Sequence, residues 1–487
     1  MTKNKILVSS LWAVLEKWSS RIFSLVTFII LARLLEADDF GVIAITRLLL
    51  DYLELFVAQG FGYAIIQKKG LNSEDINSVF WFCLIVASLL AWGIFVYSEI
   101  IAVLVGYPEI ADLIKWMSVG LVISALTRIQ VALLTRDMKF KELMLRGMVI
   151  TFGGGVIGIT LALNGYGVWS LVAQQIGGAT LGVIVLWYSS RWRPKIYFSF
   201  IALKRIYGYS IKIFLNQQVK FISQRLDEAL IVSLLGVNQL GYYSIAKKLF
   251  FLINDLILSV ISKIAFSVMA QRQNDKVYLK RGLIKYTKII TILIIPIFLS
   301  ASLLAPELIT LAFGDKWLPA SGAFSVLILS GVFLITPNLI HNLYNAMNYP
   351  ELTLKLNFFR AILSVVFLPY GAQWGVIGVS LAIVFNHFIG SLIDCVFLKR
   401  LLSVDTVHYY NIIVRAIILF IPAGICAYVS ISWLRGLFVE NYYVVGLVST
   451  LVIVFYAITI WFLQNKLCQN FLVTLNIKKE TVKHDIN

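Results

Sequence analysis

The sequence predicts an all-α protein that crosses a membrane many times. Of its 487 residues, 60% are hydrophobic and 14% are charged, whereas globular domains are about half apolar and about a quarter charged. Its mean hydropathy is +0.86, and its formal net charge is +17. So apolar a chain is not disordered, and its four cysteines do not make a disulfide scaffold. We therefore expect a polytopic membrane protein that binds no nucleic acid.

Fourteen stretches are long and apolar enough to span a membrane, which takes about 20 residues. The first is not a cleavable signal peptide, because Glu16, Lys17 and Arg21 interrupt its apolar core. The first, second, seventh and eighth stretches carry many polar residues. The predicted spans are 10–35, 40–66, 77–103, 112–135, 143–163, 166–188, 206–235, 239–270, 289–305, 320–346, 352–369, 375–398, 411–431 and 443–463.

The loops predict the orientation of the chain. On the side of the N-terminus, the connections and termini carry 25 Lys and Arg residues, and the opposite side carries only Lys316 and Arg435. Basic loops stay in the cytoplasm. We therefore expect a multi-pass protein of the inner (cytoplasmic) membrane with both termini in the cytoplasm.

Polar residues recur at helical spacing inside four of the predicted spans. A charge in the middle of a bilayer costs about 2.5–3.5 kcal/mol, so it normally faces the interior of the bundle. The second span places Arg47, Asp51 and Glu54 on one face, where Arg47 and Asp51 are spaced for an ion pair. The basic candidates for a binding cavity are Lys17, Arg21, Arg47, Lys212, Lys220, Lys247 and Lys248. The acidic candidates for charge balance or for a coupling H⁺ or Na⁺ are Asp51, Glu54, Asp227 and Asp255.

Two explanations of these stripes stay open. A water-filled cavity lined by spans one, two, seven and eight would favour anions, because basic side chains outnumber acidic ones there. Alternatively, the charges pair with one another and only hold the bundle together.

The chain contains an internal repeat. Residues 34–41 match residues 234–241 at an offset of 200, and 138–143 match 347–352 at 209. A third pair, 166–169 and 374–377, follows at 208. Six helices per repeat give two lobes of equal orientation, related by a pseudo-twofold axis along the membrane normal. Arg47 and Lys247 then occupy equivalent positions.

The repeat predicts the domain organisation. Two six-helix lobes are followed by two additional spans and a cytoplasmic tail. The predicted segments are an N-terminal lobe at 1–190, a cytoplasmic linker at 191–205, a C-terminal lobe at 206–400, the additional spans at 401–465 and the tail at 466–487.

No catalytic constellation is found in the sequence. The four histidines form no metal-spaced pair, and no phosphate-binding GxxxxGK[ST] loop occurs. A lone histidine in a span, such as His341, is expected to be packed or hydrogen-bonded. Several basic residues close to span ends, including Lys115, Arg360 and Arg415, are expected to reach the bilayer surface along their apolar stems. We therefore expect no enzyme and no resident cofactor.

Four segments resemble a known family. They are Leu31–Gly41, Gln130–Phe140, Gly165–Gln174 and Leu226–Ser244. The chain resembles the Wzx-type flippases of the polysaccharide-transporter branch of the multidrug/oligosaccharidyl-lipid/polysaccharide exporter superfamily, and the colanic-acid-exporter type most of all. The likeness extends over essentially the first 400 residues.

The resemblance implies two six-helix lobes that alternate access to a central cavity. It implies a substrate of undecaprenyl-diphosphate-linked sugar repeat units, moved from the inner to the outer leaflet for O-antigen, capsule or exopolysaccharide synthesis. It also implies that Lys17, Arg21, Arg47 and Lys247 meet the diphosphate, as basic residues do in related lipid II flippases. Polysaccharide polymerases and glycosyltransferases of the same pathway are the implied partners.

Two rival functions remain. A drug or cation exporter of the same superfamily would need carboxylates or aromatic rings around its organic cation, whereas this cavity is net basic. A membrane polysaccharide polymerase or ligase is disfavoured by the short outer loops and by the repeat.

Overall fold

The computed structural model describes residues 21–68, 70–270, 275–347, 350–436 and 441–463. Every regular element in these ranges is helical. Two single 3₁₀ turns, Pro108–Ile110 and Asp315–Trp317, connect longer helices. The helices are α1 (21–34), α2 (Ala37–Ala58), α3 (Phe61–Gln67), α4 (Ser73–Val105), α5 (Ala111–Met117), α6 (Val119–Arg136), α7 (Phe140–Leu163), α8 (Trp169–Ser189), α9 (Phe200–Leu235), α10 (Val237–Ala270), α11 (Lys276–Leu303), α12 (Ala305–Phe313), α13 (Ala320–Ala346), α14 (Pro350–Ala372), α15 (Gly375–Leu402), α16 (Thr406–Gly436) and α17 (Asn441–Leu463).

The helices confirm an all-α polytopic membrane protein. Within the described ranges, nine helical segments are long and apolar enough to cross a bilayer, and a shorter apolar helix lies at Tyr443–Thr459. Helices α2 and α9 are not among the nine, because they carry polar stripes. The number fourteen stays a prediction, and Lys17 lies outside the described residues.

Glycines allow two helices to pack closely. A Cβ atom on Gly154 of α7 would lie 2.6 Å from the carbonyl oxygen of Gln174, and one on Gly178 of α8 would lie 2.8 Å from that of Ile150. Side chains at these positions would push the two backbones apart. The glycine run at 153–155 therefore serves helix packing, as its place in an apolar span indicates.

The chain divides into two compact units. The first comprises the described residues up to Ile245 together with Ala361–Val379, and the second comprises Ala246–Arg360 and the described residues from Ser380 onward. In the second unit, α16 and α17 pack on α11 and α12 around an apolar core that includes Leu304, Phe420 and Val448. The predicted six-helix lobes, with boundaries at residues 190 and 206, stay a prediction.

Candidate functional site

Arg225 of α9 connects two acidic residues of the first unit. Its Nη2 atom donates to Oδ2 of Asp51 on α2 at 2.9 Å, and its Nη1 atom donates to both carboxylate oxygens of Glu228 at 2.9 Å. Glu228 is buried, whereas Arg225 and Asp51 are each more than a third exposed. The structure thus pairs Asp51 with Arg225 rather than with Arg47. Sequence reasoning missed Arg225, although its i,i+3 spacing to Glu228 is a recognised ion-pair signal.

A second ion pair joins α2 to α6. The Nη2 atom of Arg128 lies 2.7 Å from Oε1 of Glu54. Arg128 also escaped the sequence reasoning, although a lone charge inside an otherwise apolar helix is a marker of interior polar contacts. Both glutamate and arginine are partly exposed.

Asp227 is buried in the first unit and accepts a hydrogen bond from the hydroxyl of Tyr243, which is also buried. Sequence patterns give no signal for Tyr243 as a partner, because its side chain is uncharged. Three acidic candidates, Asp51, Glu54 and Asp227, are therefore engaged by Arg225, Arg128 and Tyr243.

The basic candidates of the same unit are placed differently. Arg47, Lys212 and Lys220 are exposed, and none of the three forms an ion pair within the described part of the chain. Arg21 is half-buried on α1. On α2 and α9, the acidic candidates are thus engaged by other residues, whereas these three basic candidates are exposed and form no ion pair among the described residues.

The remaining candidates belong to the second unit. Lys247 is half-buried, and Lys248 and Asp255 are exposed on α10.

The N-terminal ends of α2 and α10 meet in a reciprocal contact. A Cβ atom on Gly41 would lie 2.1 Å from the carbonyl oxygen of Val237, and one on Gly241 would lie 2.0 Å from that of Ala37. Gly41 and Gly241 are 200 residues apart, and so are Ala37 and Val237. The two copies of the repeat therefore contact each other here through equivalent residues, and only glycine fits at the two closest positions.

A cavity of about 490 Å³ adjoins this contact. The side chains around it include Asp38, Asp39, Glu109 and Asp112, with Trp169 beside them. Its lining is acidic, so this cavity does not suit the anion that the basic stripes predict. This acidic cavity and the predicted anion-binding surface are different places.

The second unit contains its own buried ionic cluster. Asp394 of α15 is fully buried and bound by the guanidinium of Arg360, and Nε2 of His341 lies 3.3 Å from its Oδ1 atom. The hydroxyl of Tyr344 donates to the main-chain oxygen of Asp394 at 3.1 Å. Arg360 therefore does not reach for the bilayer surface, and the expectation that it would do so is wrong. His341 is hydrogen-bonded, as a lone histidine in a span was expected to be.

No group of three or more His, Cys, Asp or Glu side chains suited to a metal ion occurs among the described residues.

Comparison with known proteins places the chain among membrane proteins of polysaccharide synthesis. The sequence profile of a family described as "Polysaccharide biosynthesis protein" matches residues 30–322. The succinoglycan biosynthesis transport protein ExoT of Rhizobium meliloti is 30% identical over 66% of this chain, and the match spans 65% of ExoT, slightly less than two thirds. The lipopolysaccharide biosynthesis protein WzxC of Escherichia coli K12 is 21% identical over 76% of each chain. The predicted resemblance is confirmed.

Solved structures share the fold. The lipid II flippase MurJ in an inward closed conformation has a TM-score of 0.78 at 16% identity, covering 94% of this chain and 100% of MurJ. An inward-facing multidrug resistance MATE transporter of the MOP superfamily has a TM-score of 0.63 at 16% identity, covering 79% of this chain and 94% of that one. These likenesses show the architecture.

Proposed function

The chain belongs to the polysaccharide biosynthesis protein family, and from this premise we propose that it is a flippase for lipid-linked oligosaccharides. Its substrate is an oligosaccharide repeat unit on undecaprenyl diphosphate, which it moves from the cytoplasmic to the outer leaflet by alternating access. The product serves the synthesis of a surface polysaccharide. The names of ExoT, WzxC and the teichuronic acid biosynthesis protein TuaB of Bacillus subtilis support this pathway.

The observation that carries the proposal is the division of charge on α2 and α9. Asp51 and Glu54 are held by Arg225 and Arg128. Arg47 and the two lysines of α9, Lys212 and Lys220, are exposed and have no ion pair among the described residues. Exposed cations without carboxylate partners attract an anion. A diphosphate carries the required charge, whereas an organic cation would be repelled.

The orientation proposed for the chain follows from its loops. With 25 basic residues on one side and two on the other, both termini lie in the cytoplasm and the protein resides in the inner membrane. The reciprocal contact of α2 and α10 then lies at the outer membrane surface. Substrate enters from the cytoplasm, where lipid-linked repeat units are assembled.

In the proposed cycle, the cations of the first unit accept the diphosphate while the polyprenyl tail stays in the lipid. Separation of the α2 and α10 ends exposes the head group to the outer side. Asp51, Glu54, Asp227 and Asp255 balance the charge of the empty cavity or bind a coupling H⁺ or Na⁺. Glycosyltransferases supply the substrate, and a polysaccharide polymerase consumes it.

The test replaces the proposed diphosphate contacts. In a strain that lacks the chromosomal gene, the Arg21→Gln/Arg47→Gln variant should reach the membrane at the normal level but restore no surface polysaccharide. The matched control, Arg136→Gln/Lys139→Gln, removes the same charge from the exposed end of α6 and should restore it fully.

Three results would contradict the proposal. Export that survives the Arg21 and Arg47 replacements would exclude their role as a diphosphate clamp. Protection against cationic dyes with no effect on polysaccharide would indicate the drug exporter. Altered glycan chain length with normal translocation would indicate a polymerase or ligase.

A further inference from the structure

A small basic cleft lies between α11 and α16 in the second unit. It has a volume of about 80 Å³, room for a small polar group rather than a sugar chain. Its polar lining consists of Lys288 on α11 and of His408, Asn411 and Arg415 on α16. The three α16 residues are spaced by three and four positions, so their side chains share one face of the helix. None of them has been assigned a role in the proposed translocation.

The helices that form the cleft are held together next to it. The hydroxyl of Thr287 donates to that of Tyr409 at 3.1 Å, in the positions next to Lys288 and His408. Two turns earlier on α11, the Nζ atom of Lys280 donates to the main-chain oxygen of Ser403 at 2.6 Å. Ile412 and Ala416 are buried below. The cleft is therefore a fixed feature of the packing of α11 against α16.

The charges in the cleft have no partner of their own. Within the described ranges, no ion pair or side-chain hydrogen bond is formed by Lys288, Asn411 or Arg415. The nearest carboxylate along the chain, that of Asp405, accepts the main-chain N–H of His408 and caps the start of α16. Two basic side chains thus face one small polar space, which favours a compact anion with several acceptor oxygens.

The surface of α16 beside the cleft is apolar. Val414 and Ile418 are exposed there. They are spaced by four residues, so they form a continuous stripe along the helix. A ligand that joins an anionic head to hydrocarbon chains would cover both the cleft and this stripe.

We propose that this cleft binds the phosphate of an anionic phospholipid of the surrounding leaflet, with its acyl chains along the apolar stripe of α16. Basic pockets between transmembrane helices on the cytoplasmic side are suited to anionic head groups. The predicted topology places Lys288 and Arg415 at the cytoplasmic ends of their spans. Free phosphate shares the head-group chemistry but would leave the stripe of α16 uncovered. The site is distinct from the proposed flippase cavity and does not depend on it.

The experiment measures lipid binding by the purified full-length protein. Dioleoylphosphatidylglycerol, dioleoylphosphatidylcholine or inorganic phosphate is titrated into the protein in detergent, and bound molecules are counted by native mass spectrometry. The Lys288→Gln/Arg415→Gln variant should bind phosphatidylglycerol at least about tenfold more weakly, because each basic residue at an anionic lipid surface contributes about 1 kcal/mol. The charge-conserving variant Lys288→Arg/Arg415→Lys should bind it nearly as the wild type does.

The matched control is Lys285→Gln/Lys399→Gln, which removes two exposed lysines of the same unit outside the cleft. It should keep wild-type affinity for phosphatidylglycerol. An equal loss in this control, or no loss in the Lys288 and Arg415 variant, would overturn the proposal. Inorganic phosphate that binds as tightly as phosphatidylglycerol at this cleft would also overturn it, because the site would then be a simple phosphate site.

Discussion

Asn238 donates a hydrogen bond of 3.0 Å from its Nδ2 atom to Oδ1 of Asp38, the residue 200 positions earlier. The two residues are equivalent members of the internal repeat, and each lies in the first turn of its helix. Two aspartates at these facing positions would repel each other, whereas an amide opposite a carboxylate supplies a donor. The repeat copies therefore differ at the point where they touch, and the difference stabilises the contact.

The contact of α2 with α10 should not tolerate a side chain at Gly41. In the Gly41→Ala variant, the new methyl group would meet the backbone of Val237 at 2.1 Å, so the helix ends must separate. Overpacking of this kind costs about 1–3 kcal/mol. We expect a lower melting temperature in detergent and reduced export. Gly62→Ala is the control, because nothing lies within 4 Å of its added Cβ atom; equal melting temperatures for the two variants would disprove the close contact.

Replacing Arg225 should lower the stability of the protein, whereas replacing Lys220 should lower its export activity. Arg225→Gln leaves the buried Glu228 without its guanidinium, and we expect a loss of about 1–3 kcal/mol in the free energy of unfolding, limited by solvent screening at the partly exposed Arg225. Lys220→Gln removes an exposed charge with no described ion pair, so stability should hold while export falls. Thermal unfolding and surface polysaccharide would be measured on both. A stable Arg225→Gln protein would argue against the bridge.

Glu54 and Arg128 should be energetically coupled. Either replacement by glutamine breaks the same 2.7 Å ion pair, so the double variant should lose less stability than the two single variants together. For a partly exposed pair the coupling should be about 0.2–1 kcal/mol. A double-mutant cycle of denaturant unfolding in detergent measures it. Strictly additive losses would show that the two residues act independently.

The stability of the protein should depend on whether the Asp394 carboxylate is paired, more than on whether the charges of Asp394 and Arg360 are present. Arg360→Met removes the guanidinium partner of a fully buried carboxylate and leaves it only the contact with His341; loss of one partner of a buried ion pair costs about 3–5 kcal/mol. The Arg360→Met/Asp394→Leu variant removes both charges and should recover much of that loss. The melting temperatures of the two variants measure the loss and its recovery. If Arg360→Met alone had no effect, Arg360 would be extended toward the surface, as the sequence suggests.

Some features of the site follow from local pattern. The spacing of Arg47, Asp51 and Glu54 places them along α2, and the glycines of the repeat mark the place where its copies touch. Partners on other helices do not follow in this way. Arg225 and Arg128 were overlooked because their significance depends on facing Asp51 and Glu54, which are 174 and 74 residues away in the chain.

Arg360 shows the same difference in the second unit. Its position along the sequence is close to a span end, which favours a side chain directed at the surface. The packing of α14 and α15 places the buried carboxylate of Asp394 beside it instead.

By itself, the sequence determined that this is an all-α membrane protein with a twofold repeat and a family resemblance to polysaccharide exporters. These properties depend on composition, periodicity and order along the chain. The tertiary structure alone decided which charges are paired, which stay exposed and which glycines separate two backbones. The physical reason is that ion pairing and steric fit act over a few ångströms in space. A helical stripe shows which side chains share a face, but only packing determines what that face meets.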